Sequence, residues 1–249
     1  MILVILASGR GVRLGTLSKD KPKCLIKIYK NKTLIYYISK NFKFFKKVVV
    51  VTGYKSDILK KKLKFNNVKF VYNKNYLKTN MVESLMLTKN VIKKDDIIVL
   101  YSDIFFNIKI TKSLMKYRKN ILPLNKDWLK NWRKRYKTVS RIKTDAEDLV
   151  VNKKKILRIG EKIKDKLPKY QYMGILKINN KTFYKLFKLY KNLKNKNISM
   201  TELINLSIQK KITCYSYLAT TKFWYEIDNY KDLKILKKDI KNLHPFFLQ

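Results

Sequence analysis

The sequence predicts an α/β fold, a Rossmann-like and mostly parallel sheet flanked by helices. Two patterns carry that reading. Short apolar, β-branched runs at 2–7, 48–51, 68–72 and 97–101 alternate with segments of helical periodicity. The runs also empty into polar or glycine-bearing loops, and ligands of such sheets sit beyond the carboxyl ends of the strands. With 249 residues, 46% of them hydrophobic, the chain can fill the core of one domain spanning 1–249.

The first run, 2–7, ends in Ala7, Ser8, Gly9, Arg10, Gly11 and Arg13, with Lys21-Pro22-Lys23 close behind. Small residues let backbone N–H groups approach an anion, and Arg13 and Lys23 put charge where a triphosphate would lie. The alternative is an ordinary strand-to-helix turn with basic neighbours. Residues 33–42 repeat at helical spacing, and the run 48–51 follows as the second parallel strand, leaving through Thr52-Gly53-Tyr54. A short helix over 57–63 and a strand over 68–72 come next. Residues 73–87 turn from a polar loop into a helix. There Thr79 and Asn80, with Ser84 near the helix start, offer donors and acceptors suited to a pyrimidine edge or a ribose, unless Thr79 or Asn80 only caps the helix.

Asp103 lies two residues beyond the fourth run, where a Mg²⁺ ligand could bridge protein and triphosphate, or where an aspartate could cap the next turn. One carboxylate holds Mg²⁺ poorly, so a distant partner is expected. Asp228, within FWYEIDNYKDL at 223–233, supplies it, and could also cap the closing helix over 230–243, the two roles being compatible. Between the two aspartates, NKDWLKNWRKRY at 125–136 sets Trp128 and Trp132 four residues apart, on one side of a helix. Indole faces with Asp127 would suit an organic ammonium, and Arg135 could hold a phosphate or phosphonate. The alternative is a tryptophan pair packed onto the core. Asp145-Ala146-Glu147 adds two carboxylates to a basic region. Strands over 150–151, 156–159 and 170–178 extend the sheet, and the last contains Gln171-Tyr172-Met173-Gly174, whose glycine marks a close backbone approach. A capped helix over 202–209 and a strand over 212–217 complete the chain. The segment 125–198 is expected to be an acceptor subregion of the one domain.

The net charge of +42 and pI near 10.1 make a polyanion-binding protein a rival reading. The lysines, however, are spread along the whole chain among abundant asparagine, isoleucine and tyrosine, which reads as compositional drift. The seventeen acidic residues then become informative. Cys24 and Cys214 have no C-x-x-C spacing, against a disulfide framework or zinc site. No apolar run approaches the ~20 residues that span a bilayer, so no membrane insertion and a cytoplasmic location are expected.

Taken together, A-S-G-R-G-x-R-L, P-K-x-L, T-N, Asp103, D-W-x-x-x-W-x-x-R, D-A-E, Q-Y-M-G and E-I-D-N resemble the nucleotidyltransferase superfamily of sugar-phosphate pyrophosphorylases over nearly the full length. Within it the chain looks like the small cytidylyltransferases acting on phosphocholine or 2-aminoethylphosphonate. Departures are Ser8 in place of the commoner alanine, an unusually basic first loop, and Asn125-Lys126 where a more acidic pair is expected.

The resemblance implies a GT-A-like fold and Mg²⁺-dependent transfer of CMP from CTP to a small phosphate or phosphonate carrying an amine, with release of pyrophosphate. It implies catalytic roles for Arg13 and Lys23, and nucleotide contacts from Ala7, Ser8, Gly9, Gly11, Gly53, Thr79, Asn80 and Ser84. Acceptor contacts would come from Asp127, Trp128, Trp132, Arg135, Asp145, Glu147 and Gln171, with metal on Asp103 and Asp228. A phosphate or phosphonate oxygen is already anionic at neutral pH, so attack on the α-phosphorus needs no general base. That suits a chain whose single histidine is His244. Small molecules rather than nucleic acid are the expected partners, a homodimer being left open. The alternatives are a uridylyl- or other nucleotidyltransferase activating a sugar 1-phosphate, and a non-catalytic polyanion-binding protein.

Overall fold

A computed structural model describes residues 1–219 and 223–247, with side chains described to residue 241. The first half holds β1 (Ile2–Ala7), β2 (Lys27–Tyr29), β3 (Lys32–Thr33), α1 (Leu34–Ser39), β4 (Lys47–Thr52), α2 (Ser56–Lys62), β5 (Val68–Tyr72), α3 (Met81–Met86), α4 (Lys89–Ile92), β6 (Ile97–Tyr101), β7 (Ile104–Phe106) and α5 (Lys109–Met115). The second holds β8 (Ile121–Asn125), α6 (Trp128–Arg135), α7 (Val139–Asp145), β9 (Glu147–Asn152), β10 (Lys155–Lys162), β11 (Gln171–Tyr172), β12 (Ile175–Ile178), α8 (Asn180–Lys191), α9 (Met200–Gln209), β13 (Tyr215–Leu218), β14 (Trp224–Glu226) and α10 (Tyr230–Phe247).

A ten-stranded sheet runs β5-β4-β1-β6-β12-β8-β13-β10-β9, with β11 added to β8. The first four strands are mutually parallel. β12 is antiparallel to both β6 and β8, and β13 runs parallel to β8, so the original direction resumes after one reversed strand. The expected mostly parallel sheet is therefore present.

Burial explains why β1 and β4 read as unbroken apolar runs. Leu3, Ile5 and Ala7 join Val48 and Val50 in one core, under α1, α5, α6 and α10, while Ile2, Val4 and Leu6 join Val49 and Val51 in the other, under α3, α8 and α9. Strands covered on both faces gain from apolar residues at every position.

Three differences from the sequence reading have local causes. β8 was not anticipated, because Pro123 interrupts its pattern and lacks the N–H a central strand needs. The expected strand over 170–178 breaks into β11 and β12 at Gly174, whose φ of +69° lies in the left-handed region. The helix expected over 125–136 starts later, at Trp128.

A small second sheet matters most for the site. β7 and β14 pair antiparallel through Phe106↔Trp224, Phe105↔Tyr225 and Ile104↔Glu226. The ladder continues as the Ile227 N–H donates to the Asp103 carbonyl at 2.9 Å. Two aspartates 125 positions apart in sequence are thereby brought side by side.

Candidate active site

The loop after β1 enters a kinked 3-10 turn over Val12–Ser18, opened by Gly11 at φ +67°. A Cβ on Gly11 would lie 2.9 Å from Lys23 Cβ, so the missing side chain lets the lysine stem cross the loop. Lys23 Nζ then donates to Asp103 Oδ2 at 2.9 Å and to Asp228 Oδ1 at 2.8 Å. Arg13 adds a guanidinium 3.0 Å from the same Asp228 oxygen. The four residues expected to carry the chemistry thus form one cluster.

Its charges are mutually enforced. Burial alone would push the Lys23 ammonium toward losing its proton, but Asp103 and Asp228 raise its pKa above that of an ordinary lysine. Burial likewise opposes the Asp228 charge, while Lys23, Arg13 and Arg135 hold that carboxyl below the usual carboxylate range.

A cavity of about 320 Å³ opens at this cluster. Ser8, Gly9, Gly11, Arg13 and Lys23 line it, as do Thr79 and Asn80 with Asp103 and Asp228. Asn80 Oδ1 also accepts the Met81 N–H at 2.8 Å, so the capping and pocket-lining readings of that residue coexist. A second cavity of about 240 Å³ adjoins the first, sharing Arg13, Met81, Tyr101 and Asp228. Trp132, Trp224, Asp145, Glu147, Gln171 and Glu226 are among its walls.

The cluster also passes a test for a hard cation. Asp103 Oδ1 is buried and has no hydrogen-bond partner. Among the described residues no group of three or more His, Cys, Asp or Glu could hold a metal ion. Two carboxylates are nonetheless the usual protein share for Mg²⁺, which takes its remaining ligands from water and substrate phosphates.

A family model described as "Nucleotidyl transferase" matches residues 2–242. The chain belongs to this nucleotidyl transferase family. It is 31% identical to the "CTP:phosphoglutamine cytidylyltransferase" of Campylobacter jejuni, over 94% of this chain and 98% of that protein. Among solved structures it resembles the CTP:phosphocholine cytidylyltransferase from Streptococcus pneumoniae (TM-score 0.72, 21% identity, covering 96% of this chain and 99% of that one). It also resembles the inositol-1-phosphate CTP transferase from T. maritima (TM-score 0.75, 19% identity, 96% of each chain). Those two likenesses show the shared fold.

Not every expected contact of this nucleotidyltransferase reaches a cavity. Ser84 is fully buried behind the wall, its Oγ 2.8 Å from Ser8 Oγ and accepting from Asn73 Nδ2 at 3.1 Å. Gly53 supports the same wall: a Cβ there would lie 2.6 Å from the Ser8 carbonyl and 2.7 Å from Tyr76 Cβ. Ala7 is the buried end of β1. These three position the loop rather than touch the cavity. Tyr76, Tyr101 and Ser102 line it and were missed; nothing in the sequence sets them apart from the chain's other polar and aromatic residues.

On the acceptor side the tryptophans separate. Trp132 stacks on Trp224 at 5.3 Å, donates from Nε1 to Asp145 Oδ2 at 2.9 Å and lines the cavity. Trp128 is 1% exposed and donates to the Pro168 carbonyl at 3.2 Å, so it packs the core as the plainer alternative had it. Asp127 is exposed and lines neither cavity.

Arg135 is also corrected. Its guanidinium is 6% exposed and sequestered by acids, with Nε 2.8 Å from Asp232 Oδ1, Nη1 3.3 Å from Asp145 Oδ2 and Nη2 3.7 Å from Asp228 Oδ2. It orients carboxylates from beneath the site and presents no face to a phosphate. Asp228, in turn, does not cap α10. Asn229 Oδ1 accepts the Asp232 N–H at 3.1 Å, and Asp232 Oδ2 accepts the N–H groups of Asp228 and Asn229, at 2.9 and 3.1 Å. This releases the Asp228 side chain for Lys23 and Arg13.

Glu226 is the chief residue that sequence reasoning passed over. Burial and the charges of Asp228 and Asp103 push its carboxyl well above the usual range. Its signal was present: in extended backbone, positions 226 and 228 point the same way. Glu147 is raised too, chiefly by burial, against a 2.9 Å hydrogen bond from Thr201 Oγ1. Gln171 donates to the Glu147 carbonyl at 2.6 Å. The side chain of His244 lies outside the described ones. Among the described residues no helix is long and apolar enough to cross a membrane.

Proposed function

We propose that this enzyme transfers CMP from CTP to a small phosphate or phosphonate that carries an amine, releasing pyrophosphate. The observation that carries the reading is the second cavity. It joins the nucleotide cavity at Arg13 and Asp228, and its remaining walls are uncharged or anionic, with Asp145, Glu147 and Glu226 facing it. Arg13, at the junction, is its one cation among the described lining residues. A zwitterion matches that polarity: the anionic end lies toward Arg13 and the ammonium toward the carboxylates and the Trp132–Trp224 stack. Family members generally use a divalent metal ion. Of the three relatives named above, two act, by their names, on phosphoglutamine and phosphocholine, phosphorylated compounds bearing nitrogen, and the third on inositol 1-phosphate, which bears none.

Catalysis then rests on positioning and charge. The acceptor oxygen is anionic and needs no base, so the two adjoining cavities serve to align it with the α-phosphorus. Arg13 and Lys23, facing the nucleotide cavity, neutralise charge that builds on the phosphoryl oxygens. Mg²⁺ on Asp103 and Asp228 would neutralise further charge on the triphosphate and its leaving group.

The test is pyrophosphate release with CTP or UTP against phosphocholine, 2-aminoethylphosphonate, phosphoglutamine and hexose 1-phosphates. Turnover is expected with CTP and the amines. Turnover with UTP and a hexose 1-phosphate alone would replace this reading with sugar activation.

A further inference from the structure

A cleft of about 680 Å³ lies outside the active site, along β13 where it runs past the start of β10. β13 pairs with β8 along its full length, from Tyr215↔Ile121 to Leu218↔Leu124, yet meets β10 only at Tyr215↔Lys155. Both strands begin at that antiparallel pair, and the Ser216 N–H donates to the Lys154 carbonyl at 2.8 Å, so the rest of β13 runs past the β9–β10 turn and leaves a gap beside it. The gap is lined from three directions: the segment after α5, the turn between β9 and β10, and Tyr170 ahead of β11.

Its chemistry is specific. Lys116, Arg118, Lys119, Lys153 and Lys154 line the cleft, and among the described residues no carboxylate does. Four tyrosines stand among them: Tyr117, Tyr170, Tyr215 and Tyr217. Tyr117 and Tyr217 meet edge to face with centroids 5.9 Å apart, and Lys119 Nζ lies 4.6 Å over the Tyr215 ring. What sets the cleft apart from the general surplus of lysine and tyrosine is that both residue types are gathered in one concavity. The cleft shares no lining residue with either catalytic cavity, and its volume suits a small molecule.

We propose that this cleft is a second nucleotide site, taking a free nucleoside mono- or diphosphate whose base lies against the tyrosines and whose phosphate meets the lysines. Stacking on aromatic faces tolerates any base, so the cleft discriminates for the phosphorylated nucleoside rather than for one base.

The test is equilibrium binding of CMP and AMP to the intact enzyme at about 0.15 M salt, a concentration that screens loose surface attraction. Lys119 and Lys154 are exposed, so the double variant Lys119→Glu/Lys154→Glu keeps the fold, and Tyr217→Ala removes a ring without reversing charge. The expected result is that AMP and CMP both bind, that each of these variants weakens binding at least about tenfold, and that turnover with small substrates is kept. Binding unchanged in both variants overturns the proposal. So does competition by inorganic phosphate as effective as that by CMP, because the rings would then contribute nothing. Capture of a single-stranded oligonucleotide with no affinity for the mononucleotides also overturns it, in favour of a polymer site.

Discussion

Lys23 is the residue on which the site's electrostatics turn, since one ammonium neutralises two carboxylates that would otherwise repel each other at short range. Lys23→Ala and Asp103→Asn are each expected to lower kcat by at least about 100-fold, the size of a lost transition-state charge contact. Steady-state pyrophosphate release reads this, with circular dichroism confirming the fold. Arg135 carries the opposite expectation from the one its sequence setting suggests. Removing it takes the salt-bridge partner from buried Asp232 and one cation from beside Asp145 and Asp228. Arg135→Ala should therefore cost roughly 3–5 kcal/mol in denaturant unfolding, instead of raising only the acceptor KM. The pH dependence follows from the acceptor-side acids. Glu226 and Glu147 hold their protons above the usual glutamate range, and an arriving ammonium favours their ionised forms, so acceptor binding releases protons. Acceptor KM should therefore fall as pH rises above the ordinary glutamate range, and a pH series of KM checks this. The nucleotide KM should change less, because the Asp228 and Lys23 shifts, downward and upward, keep that pair charged throughout.

Elements matter here by what they align. The β7/β14 ladder is only three pairs long, yet it sets Asp103 against Ile227 and so fixes the metal-fitting pair. The loop between β11 and β12 depends on Gly174, where a Cβ would lie 2.9 Å from the Tyr101 ring while the Gly174 carbonyl accepts the Tyr101 N–H at 3.0 Å. Tyr101 lines both cavities. Gly174→Ala should lose about 1–3 kcal/mol in thermal unfolding through its left-handed backbone, and should raise the KM for both substrates by displacing that ring. At this scale the sequence was legible where periodicity was clean. β1, β4, β5 and β6 were read nearly to the residue because apolar runs of that length have few other uses. β8 was hidden by Pro123, and β7 and β14 by being three residues long, too short for a period to show.

Across the whole molecule the net charge of +42 acts alongside the local chemistry. A field of that sign attracts any polyanion, and its attraction fades as salt screens it. Non-specific nucleic-acid binding is expected at low salt and should be lost by about 0.3 M, with Asp103→Asn binding as the parent does; filter binding across a salt series checks this. The sequence by itself determined the α/β class and the parallel run of its first strands, and it singled out Arg13, Lys23, Asp103 and Asp228 as the candidates that the fold gathers into one cluster. These depend on local patterns: runs with one burial demand, a glycine-rich strand exit, and rare acids in a lysine-rich chain. Only the tertiary structure decided what meets what. Lys23 reaches partners 80 and 205 positions away because β6 lies beside β1 and the β7/β14 ladder returns the chain to the same point. The same packing sent Trp132 to the wall of the second cavity and Trp128 into the core, and made Arg135, expected as a phosphate contact, the support of a carboxylate cluster. Residues four apart on one helix look alike in sequence; the neighbours that tell them apart come from distant strands, and no local pattern encodes those.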